Sequence, residues 1–317
     1  MKIIEPSAQL IKEDNPFKLV ERVGRTCYKS EAKISEDSCY RFVGNLMKHR
    51  HYAMLEHANL LFEIQGISTM FSDILNLPYV RYTSKCSESS KTPLHYVTVS
   101  MSHIAKWAAG LIQLTANSDI IFRGFNSLYR EKYMYESDVG SEFVECLTDR
   151  SIIRIKLLNS VDEIIDVDEI DKDTHQFYTI KFTCDRGVSH EFARHRCAVA
   201  QESTRYCNYS QSDILFIEPA DYENWSQRAK DTFMYACQTS EDCYKRMLDE
   251  YGFTPQIARA VLPNALKTEI ILTMPRWQWK HFFNLRYMGV TGAPHPDAKR
   301  VAGMAYELLK PNIEFKF

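Results

Sequence analysis

Nine cysteines, at positions 27, 39, 86, 146, 184, 197, 207, 237 and 243, are spread through this 317-residue chain without a CxxC pair or a zinc-ribbon spacing. An odd count with no secretory signal favours reduced thiols in a cytosol-like compartment, so a cytoplasmic location is expected. The opening MKIIEPSAQLIKED meets charged residues too early for a signal-peptide core. No apolar run approaches the roughly 18–20 residues that a bilayer requires, and no membrane span is expected. Charge of one sign is also missing: the formal net charge is −2, with 45% hydrophobic and 25% charged residues. That balance argues against a general nucleic-acid or anionic-membrane binder, so local clusters of Arg and His must meet any phosphate. Internal repeats and low-complexity tracts are absent too, and the composition is that of an ordinary globular protein.

What is present reads as a mixed α/β chain. Residues 35–50 (SEDSCYRFVGNLMKHR) suit a helix that Ser35 could cap, with Glu36 and Asp37 in its first turn. Residues 58–64 and 95–101 suit short strands, and 102–113 a second helix. Residues 84–92 form a polar loop, and 134–174 are acidic and irregular, with VDEIIDVDEIDKD a solvated surface. Nothing in 66–174 carries recognisable chemistry. Residues 175–184 alternate as a half-buried strand, Tyr178, Ile180, Phe182 and Cys184 on one face, followed by the Asp185-Arg186-Gly187 turn. Ser189 is a candidate cap for a short helix HEFARHR. Helices are expected at 225–250, 254–261, 263–273, 276–286 and 296–309, with Pro263 opening the third.

The segment EFARHRCAVAQESTRYCNY, residues 191–209, holds Arg194, His195, Arg196 and Arg205 within a near-neutral chain. Clustered fixed cations are unfavourable without anionic compensation, and the planar guanidinium fork suits phosphate. The blander reading is a solvated basic helix end answered by Glu191 and Glu202. The closeness of RHR to QESTRY weakens that reading.

Strand HQFYTIKFTC, turn DRGVSHEF, RHR, QESTRY and CNYS together resemble the flavin-dependent thymidylate synthases, whose signature is RHR, seven residues, Ser, then Arg two positions later. LMKHRHYAMLEHANLLFEI and ERVGRTCYKSE upstream, and IARAVLP, HFFNLR and HPDAKRVA downstream, extend the likeness over about 19–64 and 175–309. The resemblance implies one domain over residues 1–317, with a family-atypical insertion at about 66–174. Its fold would be α/β (α+β), a central, mostly antiparallel sheet flanked by helices with a helical C-terminal part. It implies methylation of dUMP to dTMP with 5,10-methylenetetrahydrofolate as one-carbon donor, FAD as redox carrier and NADPH as reductant, in a homotetramer. FAD would be held by His57, Arg194, His195, Arg196 and His281. The dUMP would be held by Glu191, Arg194, Gln201, Glu202, Ser203, Arg205, Arg259 and Arg286. Arg286 would stabilise charge on the pyrimidine, and Ser203 would orient substrate rather than attack it.

Three departures stand out. Only six residues separate Arg196 from Ser203, which points to an irregular spacer at 197–200, because a deletion inside a strand reverses its faces. Pro275 and Trp277 stand where the family often has Asn and Arg near the flavin, so Trp277 is expected either to stack on adenine or to fill the core. The short spacer also leaves room for a non-enzymatic nucleotide- or RNA-binding relative. His51, Glu56 and His57 lack the spacing of a metal site, and none is expected. His175, His190 and His295 suit capping or packing, and Cys184, Cys197 and Cys207 suit buried filling.

Overall fold

The computed structural model describes residues 1–66, 72–86, 93–134, 143–147, 152–209 and 213–313. In chain order its strands are β1 (Lys2–Ile4), β2 (Ser7–Ile11), β3 (Asn59–Gln65), β4 (Arg81–Lys85), β5 (Leu94–Ser100), β6 (Val144–Leu147), β7 (Ile152–Leu157), β8 (Phe177–Asp185), β9 (Ala198–Gln201), β10 (Leu215–Ile217) and β11 (Lys267–Pro275). They make two antiparallel sheets, with the orders β2-β8-β11-β9 and β4-β5-β3-β7-β6, and a short parallel pair β1-β10. The mixed α/β class expected from the sequence holds, with two sheets in place of one central sheet.

β11 overturns the helix expected at 263–273. Lys267–Pro275 lies between β8 and β9, and only Glu269 along it is less than buried. A strand covered on both faces reads as a continuous apolar run, so TEIILTMP carries no alternation to separate it from a buried helix. One face meets Phe192, Trp279, Phe282 and Val301, contributed by helices Arg186–Phe192, Arg276–Phe283 and Pro296–Leu309. Val23 and Cys27 of helix Pro16–Tyr28 pack with Ile11, Ala200 and Ile271 in a separate cluster. Trp279, fully buried, donates its indole N–H to the Tyr178 carbonyl at 3.2 Å, which satisfies the one polar atom that a core tryptophan brings.

The second sheet shows what the segment 66–174 contributes. β3 pairs with β5 over seven residues and with β7 over four, so both neighbours of β3 come from that segment. Helices Ser38–Lys48, Met101–Ala108 and Ala116–Met134 close a large core against it, with Phe62 and Phe125 stacked at 4.1 Å between centroids. The charged run ending at residue 173 is no featureless surface either: its last part forms helix Glu169–His175, capped at both levels by Asp168 and Asp171. The polar loop at 84–92 lies mostly outside the described residues.

Local signals shift by a few residues. The first long polar helix runs Ser38–Lys48, and Ser38 rather than Ser35 is the engaged hydroxyl, donating to Glu21 at 2.8 Å. Helix Arg186–Phe192 starts earlier than expected because Asp185 accepts from the Val188 N–H, and it ends before RHR. Ser189 therefore lies inside the helix. The spacer after RHR is not irregular: Ala198–Gln201 is a strand in register with Ile270–Thr273. The tight turn before it, with Cys197 N–H on the His195 carbonyl at 3.0 Å, is the place where a missing residue does least harm.

Candidate active site

The segment singled out in the sequence folds around β9 and presents its polar groups at both ends. At the N-terminal end, helix Arg186–Phe192 and a π-helical turn at Asn284–Met288 face each other. The wider turn brings Arg286 onto Glu191: Nη1 donates to Oε2 at 2.7 Å and Nη2 to the Glu191 carbonyl at 2.9 Å. The Arg286 Nε–H donates to His195 Nε2 at 3.2 Å, which requires that imidazole to be neutral with its proton on Nδ1. Burial, with the nearby Arg286 and His281, lowers His195 to about 4 and keeps it neutral. Its ring lies 4.9 Å from Phe282 and 6.2 Å from the exposed His281. Glu191, His195, His281 and Arg286 thus come together as a group.

Arg194 and Arg196 flank His195, both exposed, and neither side chain has a carboxylate within ion-pair distance among the described residues. The Arg196 carbonyl is taken by the Gln278 side-chain amide. Roughly 10 Å further along β9, at ~3.3 Å per residue, lies the second group. Here Arg205 is exposed and rests on Gln256 at 2.9 Å, and Arg259 donates to Thr204 Oγ1 at 3.0 Å. Ser203 hangs from the Cys27 carbonyl, and its Oγ accepts the Arg205 N–H at 3.3 Å. Gln201 links the two ends through Ser189 Oγ at 2.8 Å.

Glu202 does something the sequence did not indicate. It is buried and accepts from Lys267 at 2.9 Å and from Tyr209 at 2.8 Å, with Lys29 at 3.3 Å. Glu269 joins this network. Burial alone would raise its pKa, but Lys181, Lys267 and Lys29 hold it at about 2. Lys29, Glu202, Tyr209 and Lys267 of this network line a cavity of about 410 Å³ together with Arg205's neighbour Tyr206. Lys267 carried no signal as a site residue because it sits in a stretch read as helix.

His57 lines a cavity of about 550 Å³ together with Asn59, Phe177 and Thr273. It is 1% exposed, with Nδ1 bonded to Thr273 Oγ1 at 2.7 Å and Nε2 buried without a hydrogen bond. Burial drives it down to about 3, so it is neutral. Trp277 is neither core nor sealed. It is 43% exposed, and the Arg81 guanidinium stands 5.6 Å over its ring. The cysteines beside the motif are thiols: burial raises Cys184 well above its ordinary value, Cys197 to about 12 and Cys207 to about 11. His175 is a packing residue, held between Thr83 and Thr98 at 3.0 and 2.8 Å.

A family model described as thymidylate synthase complementing protein matches residues 9–76 and 171–313. The chain belongs to that family. The match includes His57 and every candidate from Glu191 to Arg286, and leaves 77–170 outside it. Among family relatives, the flavin-dependent thymidylate synthase of Geobacter sulfurreducens is 36% identical over 102 residues, 32% of this chain and 43% of that protein. The enzyme of the same description from Thermococcus onnurineus is 34% identical over 113 residues, 32% and 42%. The chain thus spans about two fifths of the length of the curated relatives it matches. A solved UMP/dUMP methylase of Streptomyces cacaoi, bound with 5-Br dUMP, aligns over 98% of this chain and 93% of that one, at 13% identity and a TM-score of 0.41. No helix among the described residues is long and apolar enough to cross a membrane.

Proposed function

We propose that this chain is a flavin-dependent thymidylate synthase, which methylates dUMP to dTMP with 5,10-methylenetetrahydrofolate as carbon donor, FAD as redox carrier and NADPH as reductant. The observation that carries this reading is the family match, which runs unbroken from residue 171 to 313 through both ends of β9. Four guanidinium groups support it: Arg194, Arg196, Arg205 and Arg259 have no carboxylate partner among the described residues, which suits anionic ligands at two places.

The residues present fit a flavin dinucleotide and a nucleotide. Arg194, Arg196 and His281 offer unengaged polar groups to the FAD, with the neutral His195 between them. Arg205 and Arg259 take the dUMP phosphate, and Ser203 and Gln201 orient the nucleotide. When bound, the flavin supplies the electron transfer, and the protein supplies position and charge. Glu191 and His195 hold Arg286 with three contacts before any ligand arrives, so its cation needs no reorganisation to face charge developing on the pyrimidine. In this reading His57 braces β11 through Thr273 behind the flavin. Glu202 acts one step away from the ligand by fixing Lys267 and Tyr209. A homotetramer in the cytoplasm completes the reading.

The deciding test is dUMP-dependent NADPH oxidation by purified protein with added FAD and methylenetetrahydrofolate, read at 340 nm (about the reduced-nicotinamide band) and by dTMP formation. No oxidation, together with unchanged dUMP affinity in Arg205→Ala, sinks the proposal. Mass measurement by light scattering checks the tetramer.

A further inference from the structure

Residues 77–81 and 100–112, outside the family match, close a cavity of about 330 Å³ against the turn that follows RHR. Three cations line it: Arg81 on β4, Lys106 on helix Met101–Ala108, and Arg196. One carboxylate, Glu56, answers Lys106 at 3.4 Å, so the lining remains cationic. His103 adds no charge at neutral pH, because burial and the adjacent Lys106 lower it to about 4. Between these charged groups Pro78, Ile112 and Phe177 add apolar wall.

Arg81 is the informative member. Its Nε is sealed from solvent and makes no hydrogen bond, and Nη1 has only a 3.4 Å contact to the carbonyl of Val80. No carboxylate pairs with it among the described residues. Burial lowers its pKa, the mark of a cation that the fold has not compensated. Trp277 covers one face of the guanidinium, which leaves its Nη groups as the binding element. A half-buried arginine left without an acceptor is costly, and an anionic ligand removes that cost.

We propose that this cavity binds the anionic group of a ligand, with Arg81 as the anchor and Lys106 and Arg196 as supporting cations. Carboxylate and phosphate share this chemistry, so under the function proposed above, on which this assignment rests, the ligand is the folate, the flavin or the nucleotide. The segment outside the family match is then a part of the binding machinery.

Titrating the intact protein with tetrahydrofolate, FAD and dUMP in turn, by calorimetry or fluorescence, tests this in wild type, Arg81→Gln, Arg81→Lys and Lys106→Gln. Loss of one charge-assisted contact should weaken a single ligand about tenfold or more in Arg81→Gln. The other two should stay within about twofold, and Arg81→Lys should recover part of the loss. Lys106→Gln, on a different element, should weaken the same ligand by a smaller factor, and the ligand affected identifies the source of the anion. Unchanged affinity for all three in Arg81→Gln overturns the assignment while leaving the proposed function standing. Equal weakening of all three with a lowered melting temperature shows a structural role only and overturns it as well. If wild type binds none of them, the proposed function falls and this site falls with it.

Discussion

Replacing Glu202 with Gln should damage the protein more than replacing its partner Lys267 with Met. The five-residue network holds three ammonium groups (Lys29, Lys181, Lys267) against two carboxylates, Glu202 and Glu269. Glu202 and Lys267 are 1% and 6% exposed at the side chain, so water screens neither. Glu202→Gln leaves three cations, the buried Lys267, the half-buried Lys181 and the exposed Lys29, facing one carboxylate, and removing one partner of a buried pair costs roughly 3–5 kcal/mol. Glu269 still reaches Lys267 at 2.9 Å, which places the loss near the lower end, about 3 kcal/mol. Lys267→Met instead leaves two cations facing two anions. Glu202 keeps Lys29 and Tyr209, and Glu269 keeps Lys181. An apolar chain of similar length should then cost only about 1 kcal/mol. With an unfolding entropy of about 2.1 cal/mol/K per residue, those losses correspond to roughly 4–5 °C and 1–2 °C in melting temperature for a chain of this length. Differential scanning calorimetry of the two variants without ligands decides it. A Lys267→Met loss equal to or greater than that of Glu202→Gln would refute the charge count on which the argument rests.

Other consequences can be measured directly. Arg205→Ala should raise the Kd for dUMP about tenfold or more and leave FAD affinity within about twofold, by titration with each ligand, since Arg205 pairs with no carboxylate among the described residues and lies at the far end of β9 from Arg194. His57, His103, His175 and His195 are held at about 3, 4, 4 and 4 by burial, below their ordinary 6.5. The unfolded chain therefore binds more protons in that range, so stability is full above about 6.5 and falls as pH drops toward 4. Replacing His57 with Asn should flatten urea-denaturation free energies against pH over that interval, and an unchanged slope would count against the buried neutral imidazole. Trp279→Ala should cost about 3–5 kcal/mol, whereas Trp277→Ala should stay within about 0.5 kcal/mol, both read by thermal melts.

Much of the site was legible because its information is local. RHR, QESTRY and IARAVLP keep their residue types and spacing in any fold, and the strand at 177–185 announces itself by alternation. β11 was not legible, since a strand buried on both faces loses the period that distinguishes it from a helix. The cap at Asp185 was hidden by a second plausible cap, Ser189, four residues on. Arg81 and Lys106 gave no signal at all. Nothing in their neighbours hints that they meet Arg196 across a cavity.

The sequence by itself determined the family and the mixed α/β class, because each depends on residue identity over short spans. Only the tertiary structure decided how those groups are used. It paired Arg286 with Glu191 from 95 residues away, sealed His57 and Glu202 inside, and set residues 77–81 and 100–112 over the RHR turn. Such pairings depend on how sheets and helices close upon one another, and burial then sets which charges are compensated and which are left free to bind.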